Sequence, residues 1–290
     1  MKFQYFNTMR TCFLIITALI FWGCPDSAST PDPDSPLGEL QFTYLQHDQI
    51  LYFAIDVASS YRTSSLDITS TKLQWFGTEK TNTPDPFELK DDGEDGDILK
   101  DDGLYSRKII NDSDSLSYPI EYDTGKVYLE FQATYGNGST TFTVEDSFYL
   151  GNIIPQIETI TAPDTIFLPD SGSVIFQLVT ATVKDANGSS DIRGVGFFSY
   201  HVDESTFLNE GNIINLYDDG SEVILYEPNF TSGDEDPNDG TYSFKIPVFG
   251  PGNSDPELET KTGTFWWIFD AVDMANTHSN PDTHTVVVEP

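Results

Sequence analysis

Short runs of alternating apolar and polar residues recur along most of the chain. Examples are Gln41–Leu45, Val127–Ala133 and Thr283–Val288. Clusters of Asp, Gly, Asn and Pro separate such runs at intervals of about 10 residues, which is typical of all-β sandwiches. No convincing 3.6-residue apolar period of an amphipathic helix follows residue 37. The pattern therefore predicts an all-β fold built from antiparallel β-sandwiches.

The chain contains an internal sequence repeat of two copies. Residues 125–133 align without gaps on residues 263–271, with a Gly, a Phe and an Ala at matching positions. Three shorter matches precede this one in the same order: Asp91-Asp92-Gly93 with Asp218-Asp219-Gly220, Gly96-Asp97 with Gly233-Asp234, and Asp102-Gly103 with Asp239-Gly240. The second copy carries about ten extra residues between its first two motifs. The repeat predicts two tandem domains, residues 37–150 and 152–290, each of ordinary domain size.

The order of these motifs resembles that of immunoglobulin-like domains in bacterial surface and secreted proteins. Two segments of the second copy, Val183–Ile192 and Phe269–Asn276, strengthen the resemblance. It covers most of residues 155–290 and, more weakly, residues 40–150. The resemblance implies a sandwich fold, a place outside the cytoplasm and a modular supporting role, but it implies no reaction.

The N-terminus has the pattern of a secretory signal. Residues 1–10 contain Lys2 and Arg10 and no acidic residue, Thr11–Trp22 is almost wholly apolar, and Gly23 precedes Cys24. This order of a basic, an apolar and a small-residue segment is typical of a cleaved signal peptide. The apolar run is too short to span a membrane, which takes about 20 residues. We therefore predict a signal peptide over residues 1–23.

Cys24 indicates a lipid anchor. Residues 20–24 resemble a bacterial lipobox, although Phe21 and Trp22 depart from its usual residues. Cleavage removes Cys12 and leaves Cys24 as a single thiol at the new N-terminus, which is unusual in a secreted protein unless that thiol is modified. The prediction is an acylated Cys24 and a Pro/Ser/Asp-rich tether over residues 24–36. The alternative is an ordinary cleaved signal with an incidental Cys.

This anchor would place the protein in the envelope of a bacterium. The expected location is the outer membrane or the cell surface, and the periplasmic face is also compatible with the sequence. The lipid anchor therefore predicts the membrane as a partner of the protein.

Charge narrows the class of partner. The chain has 14 basic and 47 acidic residues, and removal of Lys2 and Arg10 leaves 12 against 47, a net charge of −35. Such a surface repels nucleic acid and attracts cations. The 21 Phe, 14 Tyr and 4 Trp supply core material that disordered acidic chains lack. The chain is therefore predicted to be globular, acidic and without a nucleic-acid partner.

The repeated Asp-rich segments are candidate calcium loops. Oxygen-rich loops with Gly at sharp bends are typical of Ca²⁺ sites, although the spacing here and the absence of flanking helices exclude an EF-hand. Asp-Gly pairs also form tight turns between strands, which is the alternative interpretation. The candidate ligands are Asp91, Asp92, Asp97 and Asp102 in the first copy, and Asp218, Asp219, Asp234 and Asp239 in the second.

Motifs for catalysis are absent from the sequence. It contains no Gly-x-Ser-x-Gly elbow and no His-Glu-x-x-His, and its four His residues are scattered. We therefore predict that the protein is not an enzyme.

Trp266 is the candidate for surface binding. It adjoins Trp267 in one predicted strand, so the two side chains point to opposite faces. The repeat aligns Trp267 with Leu129 of an apolar set, which predicts Trp267 in the core and Trp266 outside. There Trp266 would contact the neighbouring domain, the favoured use, or stack on a sugar.

Two functional hypotheses follow. The first is a non-catalytic, membrane-anchored lipoprotein outside the cytoplasm, with a structural, adhesive or protein-interaction role. The alternative is a carbohydrate-binding accessory protein of an enzyme or transport system, which would use exposed aromatic side chains such as Trp266 and Tyr128.

Overall fold

The structure is a computed structural model that describes residues 35–61, 66–120, 123–136, 138, 140–252 and 259–290. The predicted signal peptide, Cys24 and most of the predicted tether lie outside the described residues. The described residues form β-strands and short 3₁₀ turns, at Gln46–Asp48, Ser189–Asp191 and Asn209–Gly211, and no α-helix. The predicted all-β class is confirmed.

Residues 37–150, here called the first module, form two facing sheets. The strands are β1 (Leu37–Leu45), β2 (Ile50–Val57), β3 (Ser60–Tyr61), β4 (Leu66–Trp75), β5 (Asp85–Glu88), β6 (Leu104–Ile110), β7 (Gly125–Tyr135) and β8 (Thr140–Leu150). One sheet has the order β1-β2-β6, and the other has the order β3-β4-β7-β8 with β5 beside β4. Between them lies a hydrophobic cluster that includes the fully buried Phe53, Trp75 and Phe131.

Residues 152–290, the second module, repeat this plan around a hydrophobic cluster of their own. The strands are β9 (Gln156–Thr161), β10 (Thr165–Phe167), β11 (Val174–Lys184), β12 (Ile192–His201), β13 (Thr206–Phe207), β14 (Ile214–Leu216), β15 (Thr241–Phe249), β16 (Gly263–Asp273) and β17 (Asp282–Glu289). The sheets run β15-β11-β9 and β10-β17-β16-β12-β13, with β14 beside β12. The central orders β8-β7-β4 and β17-β16-β12 correspond to the G-F-C order of immunoglobulin-type sandwiches.

One strand pair departs from the predicted antiparallel arrangement. Strands β10 and β17 are parallel, with Thr165 opposite Val287 and Phe167 opposite Glu289. After β9 pairs with β11, the chain crosses at residues 162–164 to the edge of the other sheet, where it runs in the direction of β17. This parallel pair lies at the edge of a sheet, and the other named strand pairs are antiparallel, as predicted.

The repeat is clearest in the central strands β7 and β16. Both β7 and β16 are 11 residues long, and in both the odd positions from the third onward are buried. The period-2 alternation of a strand directs these side chains into the core. The aligned buried pairs are Val127 with Phe265, Leu129 with Trp267, Phe131 with Phe269, Ala133 with Ala271 and Tyr135 with Asp273.

Hydrogen bonds connect the two modules where they adjoin. The side chain of Gln46 donates through Nε2 to the carbonyl of Asn152 (2.9 Å) and accepts through Oε1 from the N–H of Ile154 (2.8 Å). The amide of Asn280 donates to the carbonyl of His47 (3.0 Å). Ile153 and Ile154 are buried. Residues 151–154 are here called the joint.

No helix in the part of the chain that the structure describes is long and apolar enough to cross a bilayer.

Candidate functional site

The Asp-rich loops of the two modules use the same hydrogen bonds. Asp91 accepts from the backbone N–H groups of Asp102 (3.0 Å) and Gly103 (2.9 Å). At the aligned position, Asp218 accepts from the N–H groups of Asp239 (3.2 Å) and Gly240 (3.0 Å). In each module this carboxylate holds the far end of the loop beside its beginning.

A second carboxylate is buried at the matching place in each loop. Asp97 accepts from the N–H of Gly93 (2.6 Å), and Asp234 accepts from the N–H of Gly220 (2.8 Å). Both Asp side chains lie below 10% exposure, at 7% and 5%. The preceding Gly96 has φ +115, and a Cβ there would lie 2.7 Å from the backbone N of Lys108, so only Gly fits.

The other four candidate ligands close tight turns. Asp92 and Asp219 accept from the N–H groups of Glu94 and Ser221, and Asp102 and Asp239 accept from those of Leu104 and Thr241. Each bond reaches two residues along the chain, which is the Asx-turn pattern. A hydrogen bond within the loop, either an Asx turn or a bond between more distant positions of the loop, therefore accounts for every predicted ligand in both copies.

The two loops differ in how closely their carboxylates converge. Oxygen atoms of Asp91, Asp97 and Asp102 lie within 4.8 Å of one another. Asp92 is outside this group, and the second-module candidates form no such group among the described residues. There, hydroxyl groups donate to the carboxylates instead, Ser232 to Asp219 (2.5 Å) and Ser243 to Asp234 (3.1 Å). Calcium binding by these loops stays a prediction, and among the described residues three of the candidate carboxylates come together only in the first-module loop.

The structure brings together a second acidic trio that the sequence analysis did not select. Oxygen atoms of Asp185, Asp191 and Asp273 also lie within 4.8 Å of one another. Asp185 follows β11, Asp191 ends the 3₁₀ turn before β12, and Asp273 is the last residue of β16. Asp273 is completely buried.

Hydrogen bonds stabilise one member of this trio as an anion. Burial opposes ionisation of Asp273, but donation from the amide of Asn152 and from the N–H and hydroxyl of Thr277 outweighs it, so the pKa of Asp273 lies below its usual value. For Asp185 the balance is reversed. Burial raises its pKa, and the nearby charges of Asp191 and Asp273 act in the same direction.

One sequence signal pointed to this trio. The gapless alignment of β7 on β16 continues to Tyr135 and Asp273, so an acidic residue stands at a position whose counterpart is a core Tyr. Buried, unpaired carboxylates are rare, so this exchange marks a special position. The other two members lie in loops, where sequence spacing does not reveal distance.

Trp266 and Trp267 lie on the faces that the alternation predicts. Trp267 is 6% exposed and packs on Phe197, whereas Trp266 is 44% exposed. The ring of Trp266 stacks on Tyr200, with centroids 5.8 Å apart and an interplanar angle of 24°. The hydrogen bonds to the first module come from other residues, so nothing in the described contacts supports the favoured use of Trp266 against that module.

Trp266 belongs to a larger group, here called the aromatic face, which consists of Phe198, Tyr200, Phe207, Trp266 and Ile268. Tyr200 is the cross-strand partner of both Trp266 and Phe207, and Phe198 is the partner of Ile268. Phe207 is 48% exposed, and its ring centroid lies 5.0 Å from that of Tyr200. The face thus extends across three strands.

The matching surface of the first module is polar. Gln74 pairs with Glu130 and Lys72 with Gln132 on β4 and β7, and Tyr128 stands where the second module has Trp266. The aromatic face is therefore a property of the second module alone.

The comparisons with known proteins give structural neighbours but no family. No family model and no curated protein matches the chain.

Similar solved structures include the fibronectin(III)-like modules of Clostridium thermocellum CbhA, at 12% identity and a TM-score of 0.27 over 86% of this chain and 94% of that one. Two chimeric titin chains also match. The Z1Z2 chain carrying a decorin peptide has 14% identity and a TM-score of 0.23, covering 88% and 95% of the two chains. The Z1Z2-Z1Z2 tandem carrying a fibronectin peptide has 14% identity and a TM-score of 0.24, covering 86% and 98%. The assignment of the sandwich plan thus rests on the strand order of the chain itself.

Proposed function

We propose that the protein is a non-catalytic lipoprotein of a bacterial envelope that holds two sandwich modules outside the cytoplasm, and that the second module binds a partner protein through its aromatic face. The sequence supports the anchor through Cys24 and the preceding signal-like segment. The geometry supports the interaction role through the aromatic face.

The single observation that carries the proposal is an uncharged aromatic surface on a strongly acidic protein. The chain has a net charge of −33, yet none of the five residues of the aromatic face is charged. Neighbouring outward positions on the same sheet are Thr264, Thr283 and Thr285. Centres of protein interfaces are enriched in Trp, Tyr and Phe and depleted of charged residues, which is the composition found here.

Site-specific photo-crosslinking on cells tests this proposal. Thr285 is the cross-strand neighbour of Trp266, and Ser147 is the neighbour of Tyr128 at the matching place in the first module. A photoreactive p-benzoylphenylalanine at Thr285 should give a discrete, light-dependent protein adduct, whereas the same residue at Ser147 should give none. The matched pair separates contact with the aromatic face from general proximity.

A further substitution makes the test specific for the face. Trp266→Ala in the Thr285 variant should remove the adduct, since truncation of a central aromatic side chain costs about 2 kcal/mol or more of binding free energy. Adducts of equal yield from both positions, or an adduct that persists without Trp266, would contradict binding through this surface.

A neutral glycan is the second candidate ligand, favoured by the stacked rings of Tyr200 and Trp266. Two rings only 24° from parallel provide neighbouring flat surfaces for the apolar faces of sugar rings. The acidic surface repels anionic polysaccharides, so an uncharged one is expected. Retention on neutral insoluble polysaccharides that falls with Trp266→Ala but not with Tyr128→Ala would favour this candidate, and lack of retention would exclude it.

A further inference from the structure

Three carboxylates meet at the end of the second module that adjoins the joint. They come from separate parts of the sandwich, since Asp185 follows one sheet and Asp191 and Asp273 flank strands of the other. Their oxygen atoms lie within 4.8 Å of one another. An arrangement from three elements requires the folded module and is absent from the unfolded chain.

The polar groups of this trio are not all satisfied by the protein. The Oδ2 atom of Asp185 is enclosed, and no donor among the described residues forms a hydrogen bond with it. Asp273 is completely buried beside it. No salt bridge within the described part of the chain involves any of the three. Burial of a carboxylate oxygen that neither a cation nor a hydrogen-bond donor compensates is unfavourable, which applies to Oδ2 of Asp185.

The repeat shows that the sandwich plan does not itself require an acid here. Tyr135 holds the position of Asp273 in the first module, and its hydroxyl donates to the carbonyl of Ala58 (2.8 Å). A buried Tyr with a satisfied hydroxyl fills this position without charge. The acidic trio is therefore an addition specific to the second module.

We infer that Asp185, Asp191 and Asp273 bind a calcium ion at the joint between the modules. The donor set consists of carboxylate oxygens alone, which suits a hard divalent cation. Calcium–oxygen distances of 2.3–2.6 Å allow ligand oxygens up to about 5 Å apart across the ion, in agreement with the spacing of the trio. Magnesium demands a stricter octahedron and shorter bonds, so it should bind less well.

The site is connected directly to the joint. Asn152 donates through Nδ2 to Oδ2 of Asp273 (2.6 Å). Asn187, whose own N–H donates to Asp185 (2.7 Å), accepts from the N–H of Ile153 (2.8 Å) and donates to the carbonyl of Gly151 (3.3 Å). Occupation of the trio therefore fixes the side chains that hold the joint, and ion binding stiffens the connection between the modules.

Hydrogen-exchange mass spectrometry of the full-length protein tests the site locally. In 10 mM calcium, peptides covering residues 182–193 and 270–279 should exchange about tenfold more slowly than in chelator, because exchange by local opening slows by 1 + [L]/Kd and extracellular modules have Kd values of about 1 mM. Asp185→Asn with Asp191→Asn should abolish this protection. These changes remove repulsion and preserve shape, and the single change Asp191→Asn serves if the double variant folds poorly.

Two controls give the experiment its specificity. Asp170→Asn removes one charge from an exposed position of the same module and should leave the protection intact. Asp97→Asn with Asp102→Asn should also leave it intact, which separates this site from the first-module loop. Equal exchange of both peptides in calcium and chelator, or protection that survives in the Asp185/Asp191 variant, would overturn the inference. Neither result depends on the anchor or on the aromatic face.

Discussion

Residues at matching positions of the two modules can have different structural roles. Tyr135 and Asp273 occupy the same place in β7 and β16, and both are buried. The Tyr anchors the end of a core, whereas the Asp faces the joint and accepts from Asn152. A repeat thus preserves the direction of a side chain while its chemistry changes.

Tyr135 should make the first module sensitive to alkali. Burial raises the pKa of Tyr135 to about 12, against about 10 for an unfolded Tyr. The neutral phenol is then favoured by folding, so its contribution is complete below about pH 10 and is lost between about pH 10 and 12. Tyr135→Phe should flatten this part of the pH dependence of the free energy of unfolding, measured with urea.

The same substitution should cost about 1 kcal/mol at pH 8, since the carbonyl of Ala58 loses its donor. Tyr242→Phe is the companion variant in the second module. Burial, with the charges of Asp218 and Asp185, raises the pKa of Tyr242 to about 12 as well, so this substitution should also flatten the pH dependence of the free energy of unfolding above about pH 10. A Tyr135→Phe curve parallel to that of the wild type above pH 10 would contradict this assignment.

The two adjacent Trp residues should differ in their effect on stability. Trp267→Ala opens a large cavity beside Phe197 and should cost roughly 3–5 kcal/mol in free energy of unfolding. Trp266→Ala should cost much less, because Trp266 is 44% exposed and stacks mainly on Tyr200. Urea unfolding of both variants measures the difference, and equal losses would refute the assignment of faces.

At the scale of elements, strands were predictable from the sequence and loop convergence was not. The alternation of Val127, Leu129 and Phe131 with polar neighbours selects β7 because a strand has a side-chain period of 2. The Asp-rich loops repeat the same letters, yet only Asp91, Asp97 and Asp102 converge. The second loop contains about ten additional residues, and there Ser232 of the loop and Ser243 of β15 donate to the carboxylates of Asp219 and Asp234.

These loops yield a prediction about calcium. If Asp91, Asp97 and Asp102 hold an ion, millimolar calcium should raise the melting temperature of the first module. The free energy of unfolding would increase by about 2.7 kcal/mol at a calcium concentration a hundred times Kd. Asp97→Ala with Asp102→Ala should remove the effect, and magnesium should produce less of it. Calorimetry in chelator and in calcium provides the measurement.

The second module supplies the control for that experiment. Asp234→Ala with Asp239→Ala removes the matching turn bonds from a loop whose carboxylates do not converge. This variant should retain the calcium effect on the first module. Identical melting curves of the wild type with and without calcium would leave the first loop as a turn alone.

For the whole molecule, the sequence predicted the class and the repetition of the fold but not the contacts between its parts. Apolar periodicity is local, so it reports strands and their buried faces. The joint depends on pairs such as Gln46 with Asn152 and His47 with Asn280, which are more than 100 residues apart. The parallel pair β10–β17 escaped prediction for the same reason, since a crossover leaves no periodic signal.

The anchor is a prediction about the entire protein. Acyl chains contribute about 0.8 kcal/mol per buried methylene, and two or more chains give stable attachment. Cys24→Ala should therefore move the protein from the membrane fraction to the soluble fraction, as measured by fractionation and immunoblotting. Cys12→Ala, which alters only the segment expected to be cleaved, should leave the protein attached, and membrane retention of the Cys24 variant would contradict the anchor.

The parallel pair β10–β17 has a mechanical consequence. When tension pulls the two ends of the second module apart, these strands slide lengthwise past each other. Their hydrogen bonds, together with those from Leu168 to Glu289 and from Val287 to Asp164, then bear the load together. In the first module, β1 pairs with β2 and β8 with β7, all antiparallel, so no ladder of backbone hydrogen bonds among the described residues joins the terminal strands β1 and β8. Under a stretching force we expect the first module to yield before the second.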